Sequence, residues 1–109
     1  MFIDDTLRRW IVEMNKKIVT LYPGETPKEL VLTRLAKLNE EVGELAGEIL
    51  STHGHQRKAK LDKHSKETLE SEFADVIISA LSLAHAANID VEKALQEKMV
   101  VVSKRFDEA

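Results

Sequence analysis

Apolar residues recur at three- and four-residue spacing in four stretches of the chain, and each stretch predicts a helix. In the first, Leu7, Trp10, Ile11, Met14, Ile18 and Leu21 form the stripe. Tyr22-Pro23-Gly24 stops it, because proline cannot continue the hydrogen-bond ladder and glycine favours a turn. Thr26-Pro27-Lys28-Glu29 reads as a helix start. Thr26 can cap, Pro27 suits the first helical position and Glu29 can close a capping box. The second helix runs from Pro27 to about Ser51, with Leu35, Leu38, Val42, Leu45 and Ile49 as its core stripe. Gly43 and Gly47 inside it each cost about 1 kcal/mol relative to alanine. Close approach of another helix is their expected use.

From Thr52 to Ser65 the apolar period disappears into a basic connection, longer than an ordinary helix-to-helix turn. The third helix spans about Lys66 to Ala87. Between Phe73 and Ala87 its sole formally charged residue is Asp75, while Phe73, Val76, Ile77, Ile78, Ala80, Leu81, Leu83 and Ala84 cover most of the circumference. A helix apolar nearly all round is expected to be central and buried. Its one polar stripe holds Thr68, Glu72, Asp75 and Ser79. Asn88 can end it in a left-handed turn and Asp90 can cap the next helix. The fourth helix, Val91 to about Phe106, carries Leu95, Met99, Val102 and Phe106 on one face, with Lys98 and Arg105 two turns apart on a neighbouring face.

The fold class is therefore all-α, a four-helix arrangement in a single domain over residues 1–109. A central helix needs neighbours on every side, which one short chain hardly supplies, so completion of the bundle by self-association is expected, as a homodimer or a dimer of dimers. The 43% hydrophobic, 5% aromatic and 32% charged composition suits a soluble helical protein. With no cysteine, disulfide frameworks and thiolate metal sites are excluded, and a reducing, cytoplasmic setting is expected. The first residues, Met1-Phe2-Ile3-Asp4-Asp5, resemble neither a signal peptide nor an anchor. A net charge of -3 gives no reason to expect a nucleic-acid polymer or a membrane as partner.

The distribution of charge says more than its sum. Glu40, Glu41, Glu44 and Glu48 fall in an arc of roughly 100° on the second helix, with Lys37 the one cation among them. By itself this is equally a solvated acidic face. The second cluster, Glu72 and Asp75, lies on the otherwise apolar third helix, where an unpaired carboxylate costs several kcal/mol or more. Such groups are paired, protonated or bound to metal, and ion pairs with the fourth helix are the structural alternative. Carboxylate oxygens suit Mg²⁺, with Mn²⁺ as substitute. No Glu-x-x-His occurs, which disfavours a redox di-iron site. Mg²⁺ held by a few carboxylates usually binds substrate phosphates, so phosphate-ester chemistry follows.

Leu38-Asn39-Glu40-Glu41-Val42-Gly43-Glu44-Leu45-Ala46 followed by Glu72-Phe73-Ala74-Asp75-Val76 resembles the paired EExxE and ExxD signature of MazG-like nucleotide pyrophosphohydrolases. Asn88 through Leu95, and Lys98 through Arg105, also resemble that family's last helix. The resemblance implies hydrolysis of a nucleoside triphosphate to a monophosphate and pyrophosphate. It implies Glu41, Glu44, Glu72 and Asp75 as Mg²⁺ ligands and Glu40 as the residue that orients or deprotonates water or helps to hold a further ion. Lys98 and Arg105 would counter charge on the leaving pyrophosphate. The chain departs from the family where an asparagine often stands between that lysine and arginine; Met99-Val100-Val101-Val102-Ser103-Lys104 fills the interval. A dUTPase-like enzyme or a phosphoribosyl-ATP pyrophosphohydrolase shares these motifs. A non-catalytic helical module with structural ion pairs is the alternative of another class.

Other residues have plainer readings. Trp10 could stack on a nucleobase, but its place in the first stripe favours packing. His53 and His55 could bind a transition metal, although a polar basic loop favours solvated side chains. Arg57, Lys58, Lys60, Lys63 and Lys66 could cover a triphosphate or form a charged linker. His85, on the apolar helix, is expected to be a hydrogen-bonded core histidine.

Overall fold

The structure is a computed structural model, describing residues 4–53 and 66–108. Four helices follow one another: α1 (Asp5–Leu21), α2 (Pro27–Thr52), α3 (Lys66–Ala86) and α4 (Val91–Asp107), with no strand among the described residues. The chain is all-α, as its periodicity predicts.

Local chemistry sets the helix ends. Asp4 caps α1 by accepting from the Thr6 N–H at 2.7 Å. The capping box at α2 forms as expected. The Glu29 N–H donates to Thr26 Oγ1, and the Thr26 N–H donates to Glu29 Oε1, both at 3.1 Å. Gly24, with φ of 95°, makes the left-handed turn between α1 and α2. Asn88 takes φ of 60° after α3. Its N–H reaches the His85 carbonyl at 3.1 Å, and the Ile89 N–H reaches the Ala84 carbonyl at 2.9 Å. These two bonds form the Schellman arrangement that ends a helix on a left-handed residue. Asp90 then caps α4 through the Lys93 N–H.

Packing is centred on α3, which lies along α2 and, over its C-terminal half, against α1. Leu30 of α2 shares a cavity with His85 and Ala86 of α3, while Glu41 meets Glu72 and Asp75, so the two helices run antiparallel. Across α1 and α2, Arg34 Nε donates to Asn15 Oδ1 at 3.0 Å, and Asn15 Nδ2 donates to the Ile11 carbonyl at 2.8 Å. Arg34 is buried, which lowers its pKa, and the Glu25 charge opposes that shift.

Within one chain the third helix is not surrounded, as the length of the chain leads one to expect: Phe73 is 49% and Ile77 56% exposed. Its polar stripe turns inward instead, with Ser79 buried and Thr68, Glu72 and Asp75 half-buried. On α2 the buried register is likewise rotated from the expected stripe. Arg34 and Glu41 are buried beside the half-buried Leu38, Leu45 and Ile49, whereas Leu35 and Val42 are exposed. A seam of polar residues thus faces inward and an apolar flank faces out, because α2 and α3 meet through their acids. The spaces at Gly43 and Gly47 are open, so no helix of this chain makes the expected close approach.

Ile11 is the one buried apolar side chain among the described residues. The last helix has no extensive packing partner. It leaves α3 at a bend of 111°, tied near its start by an ion pair between Arg8 and Glu92. Leu95, Met99 and Phe106 of its expected core face are exposed, and Val102 is half-buried. No single described helix is long and apolar enough to cross a membrane.

Candidate metal centre

Glu41 is the pivot of the acidic seam. It lies at the mid-length of α2, on the face turned to α3, where the register that buries Arg34 returns after two turns. Its carboxylate oxygens take part in two groupings whose atoms lie within 4.8 Å of one another. One joins Glu41 to Glu40 and Glu44 along α2, and the other joins it across the helix pair to Glu72 and Asp75. All four carboxylates that the motifs single out as ligands, and Glu40 beside them, are thus brought together by two antiparallel helices.

One oxygen of Glu41 is held by Lys37 Nζ at 2.9 Å, and the same ammonium stands 3.7 Å from Glu40. The hydrogen bond that Lys37 donates to Glu41 raises the Lys37 pKa, with the Glu41 charge adding to it. The other oxygen, Glu41 Oε2, is buried and has no hydrogen-bond partner among the described residues, and Glu72 Oε2 is in the same condition. Buried carboxylate oxygens without donors are costly. Two of them facing one seam, among four further acids counting Glu48, form a pocket of negative charge that a divalent cation would satisfy. The donor set is all oxygen, which fits Mg²⁺ or Mn²⁺ and not a thiophilic metal.

The field of the cluster is visible in two of its members. Glu72 is raised above the ordinary value of 4.5, first by partial burial and then by the charges of Glu44, Asp75, Glu41 and Glu48. Glu44 is raised first by the Glu41 charge, with burial and Glu40 adding to it and Lys37 opposing. A carboxyl whose pKa is higher in the folded than in the unfolded state opposes folding when ionised. That penalty is complete above the folded pKa and gone below the unfolded one. The metal-free protein should therefore gain stability as pH falls from neutrality through the raised values of Glu72 and Glu44 towards 4.5. Asp4 and Glu29, whose pKa values are lowered by their capping bonds, reverse the trend as pH falls below their ordinary values of 3.8 and 4.5. Thermal midpoints across this window, in chelator and in excess Mg²⁺, check it. The gain should appear in chelator and shrink in Mg²⁺; a midpoint that falls steadily from pH 7 in chelator contradicts it.

The remaining candidates lie elsewhere. Trp10 is exposed on α1, outside both carboxylate groupings. Lys98 and Arg105 are exposed on α4, which does not pack along either acid-bearing helix. His85 is exposed, contrary to the core position expected of it, because α4 swings away from the end of α3. His53 closes α2, its Nδ1 lying 3.1 Å from the Ile49 carbonyl. His55, Arg57, Lys58, Lys60 and Lys63, and the Lys66 side chain, lie outside what the structure describes. The sequence reading missed the buried Asn15–Arg34 pair. Its one legible signal is that Arg34 stands seven residues, two helical turns, before Glu41.

Comparison with known proteins agrees with this geometry. The family model of the MazG nucleotide pyrophosphohydrolase domain matches residues 30–106, a span that holds both acidic clusters and α4. An uncharacterized protein, YpjD, of Bacillus subtilis (strain 168) is 35% identical over 63 residues, which cover 58% of this chain and 55% of that protein. The chain thus spans about half the length of that relative. No solved structure is significantly similar to it. With most of α2, all of α3 and nearly all of α4 inside the matched region, the chain belongs to the MazG nucleotide pyrophosphohydrolase family.

Proposed function

We propose that the protein hydrolyses nucleoside triphosphates between the α and β phosphates, with Mg²⁺, giving a monophosphate and pyrophosphate. The observation that carries this reading is the pair of buried, partnerless oxygens, Glu41 Oε2 and Glu72 Oε2, in a seam of converging carboxylates. Glu41, Glu44, Glu72 and Asp75 would hold the ion, and Mn²⁺ would serve in place of Mg²⁺. When bound, a divalent cation supplies neutralisation of the triphosphate and acidification of a coordinated water.

The chain's own residues supply the rest. Glu40, exposed at the solvent edge of the cluster, would orient the attacking water and accept its proton. Lys98 and Arg105 would offset the charge that develops on the leaving pyrophosphate. Trp10, 43% exposed, would offer a face on which a base stacks. The apolar flanks left uncovered support a homodimer or a dimer of dimers as the working form. The substrate would be a free nucleotide of the cytoplasmic pool, and removal of unwanted nucleotides its purpose; neither a nucleic-acid polymer nor a membrane is expected as partner.

Incubation with canonical and modified triphosphates, dUTP and phosphoribosyl-ATP in Mg²⁺, followed by product separation, tests the reaction. Monophosphate and pyrophosphate are the expected products. Diphosphate and orthophosphate would place the cleavage at the wrong bond, and no turnover of any substrate would favour a non-catalytic module.

A further inference from the structure

We propose that Arg34 and Glu25 read the edge of the substrate's base and select one that carries a ring carbonyl beside a ring N–H, as guanine, hypoxanthine and uracil do. This rests on the pyrophosphohydrolase reading and specifies its substrate class.

The polar seam continues past the acids. Because α2 and α3 run antiparallel, descending α2 from Glu41 and ascending α3 from Asp75 lead in one direction. Arg34 lies there on α2, two turns from Glu41, and Ser79 lies there on α3, one turn from Asp75; both are buried. Seven residues of helix rise roughly 10 Å, a span that a sugar and a base fill when the phosphates sit at the metal. Next to Arg34 the helices open. Asn15, Val19, Leu30 and Ala86 help to line a cleft of about 480 Å³ between α1, α2 and α3, within the size range of small-molecule sites.

Arg34 is held as a fixed donor. It is 7% exposed, and Asn15 beside it 3%. Asn15 Oδ1 accepts from Arg34 Nε at 3.0 Å, and Asn15 Nδ2 is itself anchored on the Ile11 carbonyl at 2.8 Å. The guanidinium plane is thereby oriented, yet Arg34 Nη2 is buried with no hydrogen-bond partner among the described residues. Glu25 is in the complementary condition. Its Oε1 accepts from Thr33 Oγ1 at 3.0 Å, while Oε2 is buried without a partner among the described residues. Burial lowers the Arg34 pKa and the Glu25 charge raises it, so the two side chains are neighbours that do not hydrogen-bond. A buried donor and a buried acceptor, close together and both unfilled, are costly as they stand. They match a ligand edge that offers an acceptor and a donor side by side.

Arginine only donates, and an ionised carboxylate only accepts. A ring carbonyl suits Arg34, since a guanidinium pairs most often with the oxygen-bearing edge of guanine. The neighbouring ring N–H then suits Glu25 Oε2. In adenine and cytosine an amine takes the place of that carbonyl and turns a donor towards the Arg34 donors. Their ring nitrogen offers one lone pair where a carbonyl oxygen offers two. A site built to bond one pattern rejects the other because its buried groups are left unpaired. A base read along its edge keeps both ring faces for stacking.

Turnover of matched triphosphates decides the matter. Wild type should prefer GTP to ATP, or UTP to CTP, by roughly tenfold to a hundredfold in kcat/KM. Arg34→Met should bring that ratio close to one. The ratio within one preparation does not depend on how much of the protein is folded. A merely structural Arg34, whose loss lowers all four substrates alike, would leave it unchanged. Glu25→Gln, at a half-buried position, should lower the ratio in the same direction, and it carries the comparison should Arg34→Met not fold.

Equal ratios in both pairs, a preference for ATP or CTP, or a preference that survives both variants overturns the base reading and leaves the pyrophosphohydrolase reading standing. If no triphosphate is turned over, the enzymatic reading fails instead. Calorimetric binding of the α,β-methylene analogues of GTP and ATP in Mg²⁺ then judges the base site by itself. Tighter binding of the GTP analogue that is lost in Arg34→Met keeps that site; equal binding, or none, removes it.

Discussion

Glu41→Gln is expected to lower turnover by at least a hundredfold to a thousandfold, on the order found when one preorganised electrostatic partner is removed from a site. The loss should be larger than for any other single acid, since Glu41 alone belongs to both carboxylate groupings. Glutamine keeps the shape and can still accept from Lys37, so helix content should survive. What it cannot keep is the full negative charge on the oxygen that is buried without a donor. Steady-state kinetics at saturating Mg²⁺, with circular dichroism as the control for folding, check this. A variant with wild-type kcat would show that the centre of the seam is not where the chemistry happens.

The second large effect concerns the ion and stability together. A ligand that binds only the folded state at a hundred times its Kd adds about 2.7 kcal/mol. For a domain of about this size each kcal/mol moves the midpoint by roughly 4–8 °C. Mg²⁺ or Mn²⁺ should therefore raise the thermal midpoint of wild type by on the order of 10 °C or more. Glu72→Gln and Asp75→Asn should each abolish most of that rise. In chelator the same variants should be as stable as wild type or more so, because each removes a charge from a repelling group and the Glu72 carboxyl is raised first by burial and then by the charges of its neighbours. If both variants instead unfold while wild type gains nothing from metal, the acids are structural ion-pair partners and the enzymatic reading loses its basis.

These effects come from a seam that was only partly legible in the sequence. Helix limits were legible because caps are local. Thr26 with Glu29, Asn88 and Asp90 each act within a few residues of themselves, and the helices begin and end where those residues predict. The grouping of Glu41, Glu44, Glu72 and Asp75 was legible through the resemblance of the two paired motifs to a family signature, whereas the spacing alone left a solvated face and ion pairing open. The direction each helix faces was not. An apolar stripe on α2 or α3 records that something covers it, and does not record whether that neighbour is the same chain. Leu35, Val42, Phe73 and Ile77 therefore read as core and stand exposed. Likewise the Asn15–Arg34 bond joins residues nineteen positions apart on two helices, and no local period announces it. Gly43 and Gly47 read as contact points and face open space for the same reason.

Direct metal binding tests the central claim most closely. Mn²⁺ titrated into the protein can be followed by the loss of the free-ion paramagnetic resonance signal, without substrate and without turnover. Wild type is expected to deplete the free ion, Mg²⁺ to compete it back into solution, and Glu41→Gln and Glu72→Gln each to leave most of it free. A free-ion signal undiminished by wild-type protein at millimolar Mn²⁺, or depleted equally well by Glu41→Gln, would contradict the assignment of the acidic seam as a metal centre.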